Sequence, residues 1–347
     1  MAALRLFSRC LALKKYDSLP NIAPVSIIFN RTLKYLPKEY NETDPAPLFF
    51  NGEIQSLLKT LTRVNLNKVY RRRKLGQKKL DLPTYKFVTD EQLQEMMKDA
   101  EVKADELLQM PPVLKIRGVR DRVLSRDPAL QGYDAATYIF TDITFGIKNI
   151  DRIIIAREPD GTLREADWPL RDRMNQVYFP LPGRELKPPL MFQDNYLEKL
   201  LTRKEYEFIL DRSCIQFEPD DLDYQRVTTI TYQHVNDNND FEILRSTRHF
   251  GPLAFFLLWH KEIDNLLLDL IQSSQIQEAN VLLQLYEKFH KVELNVTGLQ
   301  NTEALEKYIK EFSNKRGSLE LAVQAYKELE EEKKQMERDL KHVHGVA

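Results

Sequence analysis

The fold of this chain is decided by the stretch Tyr138–Pro180, whose sequence is YIFTDITFGIKNIDRIIIAREPDGTLREADWPLRDRMNQVYFP. Ile, Thr, Tyr and Phe crowd the runs Thr137–Phe145 and Asp151–Arg157, and such β-branched and aromatic residues favour strands. Glu158–Thr162 then places Pro, Asp and Gly in the order of a tight turn, with Gly where φ is positive. Thr162–Ala166 is therefore predicted to return as the third strand of an antiparallel meander.

A helix is predicted directly after this meander. Asp167 suits its N-cap, because a carboxylate there accepts a backbone N–H of the first turn. Pro169 follows in the first turn, where a missing N–H costs little. The helix carries Arg171–Met174 and must end by Pro180, because proline cannot continue it. Sheet and helix together form a structural platform, since this stretch has no phosphate loop, nucleophile elbow or set of metal ligands.

Outside this stretch, apolar residues recur at helical spacing. Thr89 with Gln92 and Thr202 with Glu205 have the spacing of capping boxes at helix starts. Tyr224–Val235 is ambiguous, because its β-branched residues favour a strand while its helical surroundings favour a helix, which is the prediction we adopt. The sequence thus predicts a mainly α protein with a small antiparallel β-meander (α+β), an irregular helical domain and an extended N-terminal arm.

Five segments describe the predicted domain organisation. They are a mitochondrial presequence at 1–38, a basic N-terminal arm with helices at 39–133, the meander and its helix at 134–181, a helical domain at 182–300, and C-terminal helices with a charged tail at 301–347. Residues 114–132 include seven charged residues and are predicted to be irregular. The tail from Glu328 is predicted to be a solvated helix or a short coiled-coil partner.

The first 38 residues have the composition of a targeting segment. They contain seven basic residues and a single acid, Asp17. Leu4, Phe7 and Leu11 recur at helical spacing, while Arg5 and Arg9 lie on another face. An amphipathic, Arg-bearing, acid-poor start is typical of a mitochondrial presequence, which predicts a location in the mitochondrial matrix. The alternative is an ordinary basic arm.

Glycine, histidine and cysteine usage argues against most enzyme classes. The chain has eleven glycines, no two closer than 14 positions, whereas nucleotide loops and nucleophile elbows need glycines two to five apart. It has six histidines and two cysteines, Cys10 and Cys214, none at metal-ligand spacing. His260 and Asp264 are predicted to be i, i+4 neighbours on one helix, and Asn236–Asp240 is predicted to be a turn rather than a calcium loop. We therefore predict no catalytic residue, no metal and no cofactor.

A basic run is the one positive functional signal. Nine cations and no acid occur between Lys59 and Lys79. Such a run attracts phosphates, arginines bond phosphate oxygens in pairs, and an interleaved tyrosine can stack on an unpaired base. The alternative is a solvated charged loop. The candidate RNA-contact residues of this run are Lys68, Tyr70, Arg71, Arg72, Arg73, Lys74, Lys78 and Lys79.

Arg245 and Arg248 are two further candidates for RNA contact. They are three residues apart and so share a helical face, and the apolar run Leu253–Trp259 directly after them would fix them rigidly. They either face outward to RNA or form an internal salt bridge with an acidic neighbour such as Asp240 or Glu242.

Several short segments, in order along the chain, carry a resemblance to a known family: Met110–Leu114, Phe140–Ile143, Arg157–Arg164, Arg171–Met174, Gln176–Pro180, Gln216–Asp220, Leu244–Arg248 and Phe250-Gly251. Together they resemble the mitochondrial small-ribosomal-subunit protein twenty-two family of animal mitochondrial ribosomes.

The resemblance implies a non-catalytic structural component of the mitochondrial small ribosomal subunit. It implies contacts with the small-subunit rRNA and with other small-subunit ribosomal proteins, and neither a membrane nor a small-molecule substrate. The alternative is a mitochondrial RNA-binding or ribosome-assembly factor, and a mitochondrial enzyme is the third possibility.

Overall fold

The structure is a computed structural model that describes residue 40 and residues 43–70, 85–294 and 302–343, with side chains up to residue 339. The predicted presequence, residues 1–38, lies outside the described residues. So do Arg71–Lys74, Lys78 and Lys79 of the basic run. The described chain divides into two compact units. The sheet unit is Gly118–Pro188, and the helical unit consists of the described residues up to Arg117 and from Pro189 onward.

The described α-helices, numbered in chain order, are α1 (Ala46–Phe49), α2 (Gly52–Thr62), α3 (Leu66–Val69), α4 (Asp90–Leu107), α5 (Trp168–Tyr178), α6 (Asp194–Thr202), α7 (Tyr206–Gln216), α8 (Leu222–Asn238), α9 (Phe241–Leu244), α10 (Phe250–Trp259), α11 (Asp264–Gln272), α12 (Ile276–His290), α13 (Glu303–Glu311) and α14 (Arg316–Val343). The strands are β1 (Val123–Arg126), β2 (Tyr138–Thr141), β3 (Ile154–Arg157) and β4 (Thr162–Glu165). The predicted class, mainly α with one small antiparallel sheet, is confirmed.

The sheet is antiparallel throughout, with the strand order β1-β4-β3-β2. The predicted meander supplies β2, β3 and β4. β1 lies within residues 114–132, which were predicted to be irregular, and that prediction is wrong for its residues. β1 pairs with β4, which is distant in sequence, and the register of this pair shifts between Val123 and Ser125. Because of this shift, β1 lacks the regular alternation of apolar and polar residues that would mark a strand in the sequence. The sheet unit accordingly begins at Gly118, before the predicted segment 134–181.

β2 and β3 are shorter than the predicted strands because Arg152 binds the loop between them. Its buried guanidinium donates to the carbonyl oxygens of Asp142, Thr144 and Ile147, each at 2.9 Å. Arg171 of α5 is also buried and donates to the carbonyl oxygen of Arg152 at 2.5 Å. These bonds satisfy carbonyls that a longer strand pair would have satisfied. Regular pairing ends at Thr141, and a last cross-strand bond runs from the Asp142 N–H to the Ile153 carbonyl at 2.9 Å.

The turn between β3 and β4 has the predicted chemistry. Gly161 has a φ of +81°, which costs glycine little because it has no Cβ. The Asp160 carboxylate accepts from the backbone N–H and the hydroxyl of Thr162, both at 2.9 Å. α5 then begins as predicted, with Asp167 accepting from the Leu170 N–H at 3.3 Å and Pro169 in the first turn.

The core of the helical unit is centred on α10. Its residues from Phe250 to Leu258 are all buried, and the helix packs against α2, α8 and α12. Each large apolar side chain fully removed from water stabilises the fold by roughly 1.5–3 kcal/mol. Gly251 permits a close approach here, because a Cβ at this position would lie 1.8 Å from Sδ of Met110. The Met110-Pro111-Pro112 segment after α4 is thereby brought against the core.

The ambiguous stretch Tyr224–Val235 is helical, within α8, as predicted. Its β-branched residues fit a helix because their hydroxyls bond within it. Thr228, Thr229 and Thr231 donate to carbonyl oxygens four residues earlier, at 2.9, 2.7 and 2.7 Å. α8 includes Asn236–Asn238 of the predicted turn, so that prediction is wrong for these residues; the chain turns at Asn239, which adopts the left-handed conformation.

One of the two predicted capping boxes is present. Thr89 and Gln92 bond each other's backbone N–H groups at the start of α4, as predicted. The second prediction is wrong, because Thr202 is the last residue of α6 and its hydroxyl donates back to the Glu198 carbonyl at 2.8 Å. Sequence spacing alone does not distinguish a threonine that starts a helix from one that ends it.

His260 and Asp264 do not share a helix, contrary to the prediction. His260 caps the C-terminus of α10 and Asp264 begins α11. The buried Asp264 carboxylate accepts from the Tyr308 hydroxyl at 2.8 Å and from the backbone N–H groups of Asn314 and Lys315 at 2.8 and 3.1 Å. It therefore fixes the turn between α13 and α14.

Candidate nucleic-acid interface

The structure describes two residues of the candidate basic run, Lys68 and Tyr70. Lys68 lies on α3 and its Nζ donates to the carbonyl oxygen of Glu242 at 2.8 Å. Tyr70 caps α3 and its hydroxyl donates to the carbonyl oxygen of Ala100 on α4. The Tyr70 ring remains exposed. The start of the run is therefore anchored to the helical unit, and the Tyr70 side chain stays partly exposed.

The structure brings the entry to the basic run close to the second candidate segment, around Arg245. Ser246 connects them, since its backbone N–H donates to the Thr62 carbonyl at 2.9 Å and its hydroxyl donates to the Arg63 carbonyl at 2.5 Å. The Ser246 hydroxyl also accepts from the backbone N–H of Asn65 at 3.2 Å. The end of α2 and the start of α3 are thus fixed to residues 245–248.

Arg245 is buried, with 2% of its surface exposed, and faces the interior. Its Nη2 bonds Oδ2 of Asp269 at 3.0 Å, its Nη1 bonds Oε2 of Glu278 at 3.3 Å, and its Nε lies 3.4 Å from Oε2 of Glu242. The guanidinium lies over the Phe250 ring at 4.8 Å. The hypothesis that Arg245 faces outward to RNA is therefore wrong, and the internal salt bridge is what the structure contains. A charge this deeply buried requires partners within the chain.

Arg63 belongs to the same arrangement, because its Nε bonds the Glu278 carboxylate. One Glu278 side chain thus receives two guanidinium groups, one from the end of α2 and one from residue 245. We call Arg63, Arg245, Asp269 and Glu278 the buried arginine cluster. It connects the end of α2 with α11 and α12. The Arg245 charge is paired with carboxylates inside the protein.

Arg248 is half-buried and is also bonded within the chain. Its Nε and Nη2 bond Oδ1 of Asp211 at 3.0 and 2.8 Å, and Nε2 of His249 bonds the same oxygen at 2.8 Å. Burial would raise the pKa of Asp211, but its interactions with His249 and with the charged, hydrogen-bonded Arg248 lower it overall. Burial lowers the pKa of His249. Arg248 therefore has a structural role in balancing Asp211, and its contact with RNA stays a prediction.

Cys214 lies one turn after Asp211 on α7, close to the contacts of Asp211 with Arg248 and His249. Burial raises the pKa of its thiol, so the sulfur stays protonated at neutral pH and is not an activated nucleophile. Its described hydrogen bond is to the Tyr224 hydroxyl, at 3.7 Å. In the part of the chain that the structure describes, no three His, Cys, Asp or Glu side chains are placed to hold a metal ion. No described helix is both long and apolar enough to cross a bilayer.

Sequence reasoning missed the carboxylates that hold the candidate arginines. Asp211 precedes Arg248 by 37 residues, and Glu278 follows Arg245 by 33. Neither pair has a local spacing that a sequence pattern would show. Glu242, three residues before Arg245, is the partner that the sequence analysis did name, and its carboxylate lies 3.4 Å from Nε of Arg245.

An exposed face of the sheet was missed as well. Because paired residues of neighbouring strands share a face, Tyr138 and Arg157 lie on one face together with the pair Phe140 and Ile155. Tyr138 and Phe140 are exposed, whereas Ile154 and Ala156 on the other face are buried. This combination of aromatic and apolar side chains suits contact with another macromolecule.

Comparison with known proteins gives two consistent findings. The family model described as "Mitochondrial 28S ribosomal protein S22" matches residues 47–291. The chain is 36% identical over 288 residues to the small ribosomal subunit protein mS22 of Mus musculus, covering 82% of this chain and 79% of that protein. It is 37% identical over 287 residues to the protein of the same name in Bos taurus, covering 81% of this chain and 79% of that protein.

Proposed function

The chain belongs to the mitochondrial 28S ribosomal protein S22 family, and from this premise we propose that it is a non-catalytic structural component of the mitochondrial small ribosomal subunit. It acts in the mitochondrial matrix, where it contacts the small-subunit rRNA and neighbouring ribosomal proteins during mitochondrial translation. The family match over residues 47–291 is the observation that carries this proposal.

The charged side chains of the helical unit pair with one another, which supports a structural role rather than a catalytic one. The buried arginine cluster and the Asp211–Arg248–His249 contacts join helices that are distant in sequence. Catalysis needs a nucleophile, a base and a group that orients them, with the base poised to take a proton. Here the Cys214 thiol has a raised pKa, and His249 is buried, with 1% of its surface exposed, so its ring does not face a substrate. These groups stabilise the helical unit.

Sedimentation of mitochondrial particles tests this function. The tagged full-length chain should comigrate with the small subunit at a one-to-one ratio, and it should stay bound after a high-salt wash. A mitochondrial RNA-binding or assembly factor would instead be substoichiometric or would be released by the wash. Either of those two results would replace the proposed function with that alternative.

The basic run is proposed to contact rRNA, and its charge gives a quantitative prediction. Replacing Arg71, Arg72, Arg73 and Lys74 with Ala should weaken retention on the small subunit and make it less sensitive to salt. Each lost phosphate contact should reduce the slope of log affinity against log salt by roughly one unit. A triple variant of α14, Lys333→Ala with Lys334→Ala and Arg338→Ala, is the matched control. If both variants show the same salt slope as the unmodified chain, Arg71–Lys74 do not bind phosphate.

Residues 1–38 are proposed to direct the chain to mitochondria. Fused to a fluorescent reporter, they should send it to the matrix, because an amphipathic, basic and acid-poor segment is what the import machinery recognises. The control fusion replaces Arg5, Arg9, Lys14 and Lys15 with Gln and should stay in the cytosol. A cytosolic location of the unmodified fusion would refute the targeting role.

A further inference from the structure

Helix α4 carries an apolar stripe that the described chain leaves largely uncovered. The residues of this α4 stripe recur at helical spacing on one side: Leu93, Met96, Met97, Ala100, Ala104 and Leu107. Ala104 is buried, but Leu93, Met96 and Met97 keep 47%, 47% and 57% of their surface exposed. A narrow apolar stripe on a surface helix normally faces a core. An exposed one indicates a surface that another molecule covers.

The helix is held in place by its C-terminal half. α3 packs against it, and the Tyr70 hydroxyl donates to the Ala100 carbonyl. Lys59 of α2 lies 3.7 Å from the Asp105 carboxylate. The N-terminal half has its capping box at Thr89 and presents Leu93, Met96 and Met97 outward. The stripe is thus presented by a helix that is fixed at one end.

The charge of α4 defines what can cover the stripe. Seven carboxylates and two lysines give the helix a net charge of −5. Glu101 lies one helical turn from Met97, and Asp90 lies one turn before Leu93, so acids border the stripe directly. Of these seven carboxylates, Asp105 is the one with an ion pair to a described residue. The remaining negative charge repels nucleic acid phosphate and attracts a basic partner.

We propose that the α4 stripe docks a basic, amphipathic segment of a neighbouring protein in the small subunit. Apolar side chains of that segment pack on Leu93, Met96 and Met97, and its lysines and arginines lie against Asp90 and Glu101. Methionine side chains adapt to an irregular partner surface, which suits such a contact. The inference rests on the proposed function, because it takes the partner from the same particle.

Site-specific crosslinking tests the proposal in assembled particles. The full-length chain with Met97→p-benzoylphenylalanine is expressed in cells, the small subunit is purified, and crosslinked peptides are identified by mass spectrometry. The expected product joins residue 97 to a peptide of another small-subunit protein that is rich in Lys and Arg and carries apolar residues at helical spacing. The same probe at Glu95, on the opposite side of α4, is the control and should give little of this product.

Crosslinks to other molecules would overturn the proposal. These are rRNA, a second copy of this chain, residues 71–84 of the same chain, or a protein segment without a basic excess. Equal crosslinking from positions 95 and 97 would overturn it as well. If the chain does not sediment with the small subunit at all, the proposed function itself fails. If it sediments normally and position 97 crosslinks rRNA, only the docking inference fails.

Paired variants measure the contact. Leu93→Ser with Met97→Ser should weaken binding between this chain and the crosslinked partner protein about tenfold or more, as for central apolar residues of an interface. Val102→Ser removes an equally exposed apolar residue from the other side of α4 and should have no effect. Asp90→Lys with Glu101→Lys should also weaken the contact. The Leu93 with Met97 variant and the Val102 variant should unfold at the temperature of the unmodified free chain, since these side chains are exposed in it. Normal retention in the Leu93 and Met97 variant would contradict the proposal.

Discussion

Replacing Arg245 with Met is expected to lower the free energy of unfolding by roughly 3 kcal/mol, the lower end of the range for breaking a buried ion pair. The guanidinium bonds the Asp269 carboxylate and shares the Glu278 carboxylate with Arg63. Removing it leaves those carboxylates partly desolvated and incompletely paired. We expect the lower end of that range because 27% of the Asp269 side chain is exposed, so water can partly solvate its charge when Arg245 is removed. Such a loss is a large share of the 5–15 kcal/mol typical of a domain.

Urea unfolding of the full-length chain, followed by circular dichroism, measures this loss. Arg203→Met is the matched control, since Arg203 is exposed at the end of α6 and a surface change usually shifts stability by less than about 0.5 kcal/mol. The carboxylates provide a second check. Adding Asp269→Asn and Glu278→Gln to the Arg245→Met variant should recover part of the loss, because neutral amides need no counter-charge. Equal stability of the Arg245 and Arg203 variants would show that the cluster contributes little.

Gly161→Ala is expected to cost roughly 3 kcal/mol or more, in the sheet unit. Holding a non-glycine residue at a strained φ costs of order 1–3 kcal/mol, and Gly161 has a φ of +81°. A second cost comes from packing. A Cβ at this position would lie 2.0 Å from the carbonyl oxygen of Asp127, which is backbone and has little freedom to move. The clash would also disturb the bond from the Asp127 N–H to the Gly161 carbonyl, at 3.1 Å.

Gly146 provides a control with the same backbone strain and no clash. Its φ is +87°, and a Cβ there would meet no atom within 4 Å. Gly146→Ala should therefore cost only the conformational part, roughly 1–2 kcal/mol. Thermal unfolding and limited proteolysis of the sheet unit measure both variants. If the two substitutions cost the same, the contact with Asp127 relaxes freely and the packing part of the prediction is wrong.

Local sequence chemistry predicted much of the fold correctly. The Pro159-Asp160-Gly161 turn, the Asp167 N-cap and the Thr89–Gln92 capping box each depend on residues within four positions of one another. Such features follow from φ preferences and short side-chain-to-backbone bonds, which a sequence displays directly. Thr202 marks the limit of this reasoning, because its hydroxyl bonds Glu198 inside the preceding helix.

The candidate site was less predictable than the fold. The three-residue spacing of Arg245 and Arg248 predicted a shared helical face, but both residues lie in the turn between α9 and α10, where Ser246 has a φ of +58°. The spacing did not show where the counter-charge lies, and Arg245 proved to be buried against Asp269 and Glu278. A surface arginine that binds phosphate and a buried one that binds carboxylates have the same local sequence. The distinction lies in residues 24 and 33 positions away.

The sequence by itself determined the mainly helical class, the meander with its turn and the family, because these rest on local patterns and on ordered segments along the chain. Tertiary structure alone decided which charges turn inward and which apolar surfaces stay open. Arg245 is neutralised by α11 and α12, while the α4 stripe, which looks like a core-facing helix in sequence, keeps Met97 exposed. The physical reason is that burial depends on contacts between residues far apart in the chain, and a helical pattern specifies only that a face is apolar.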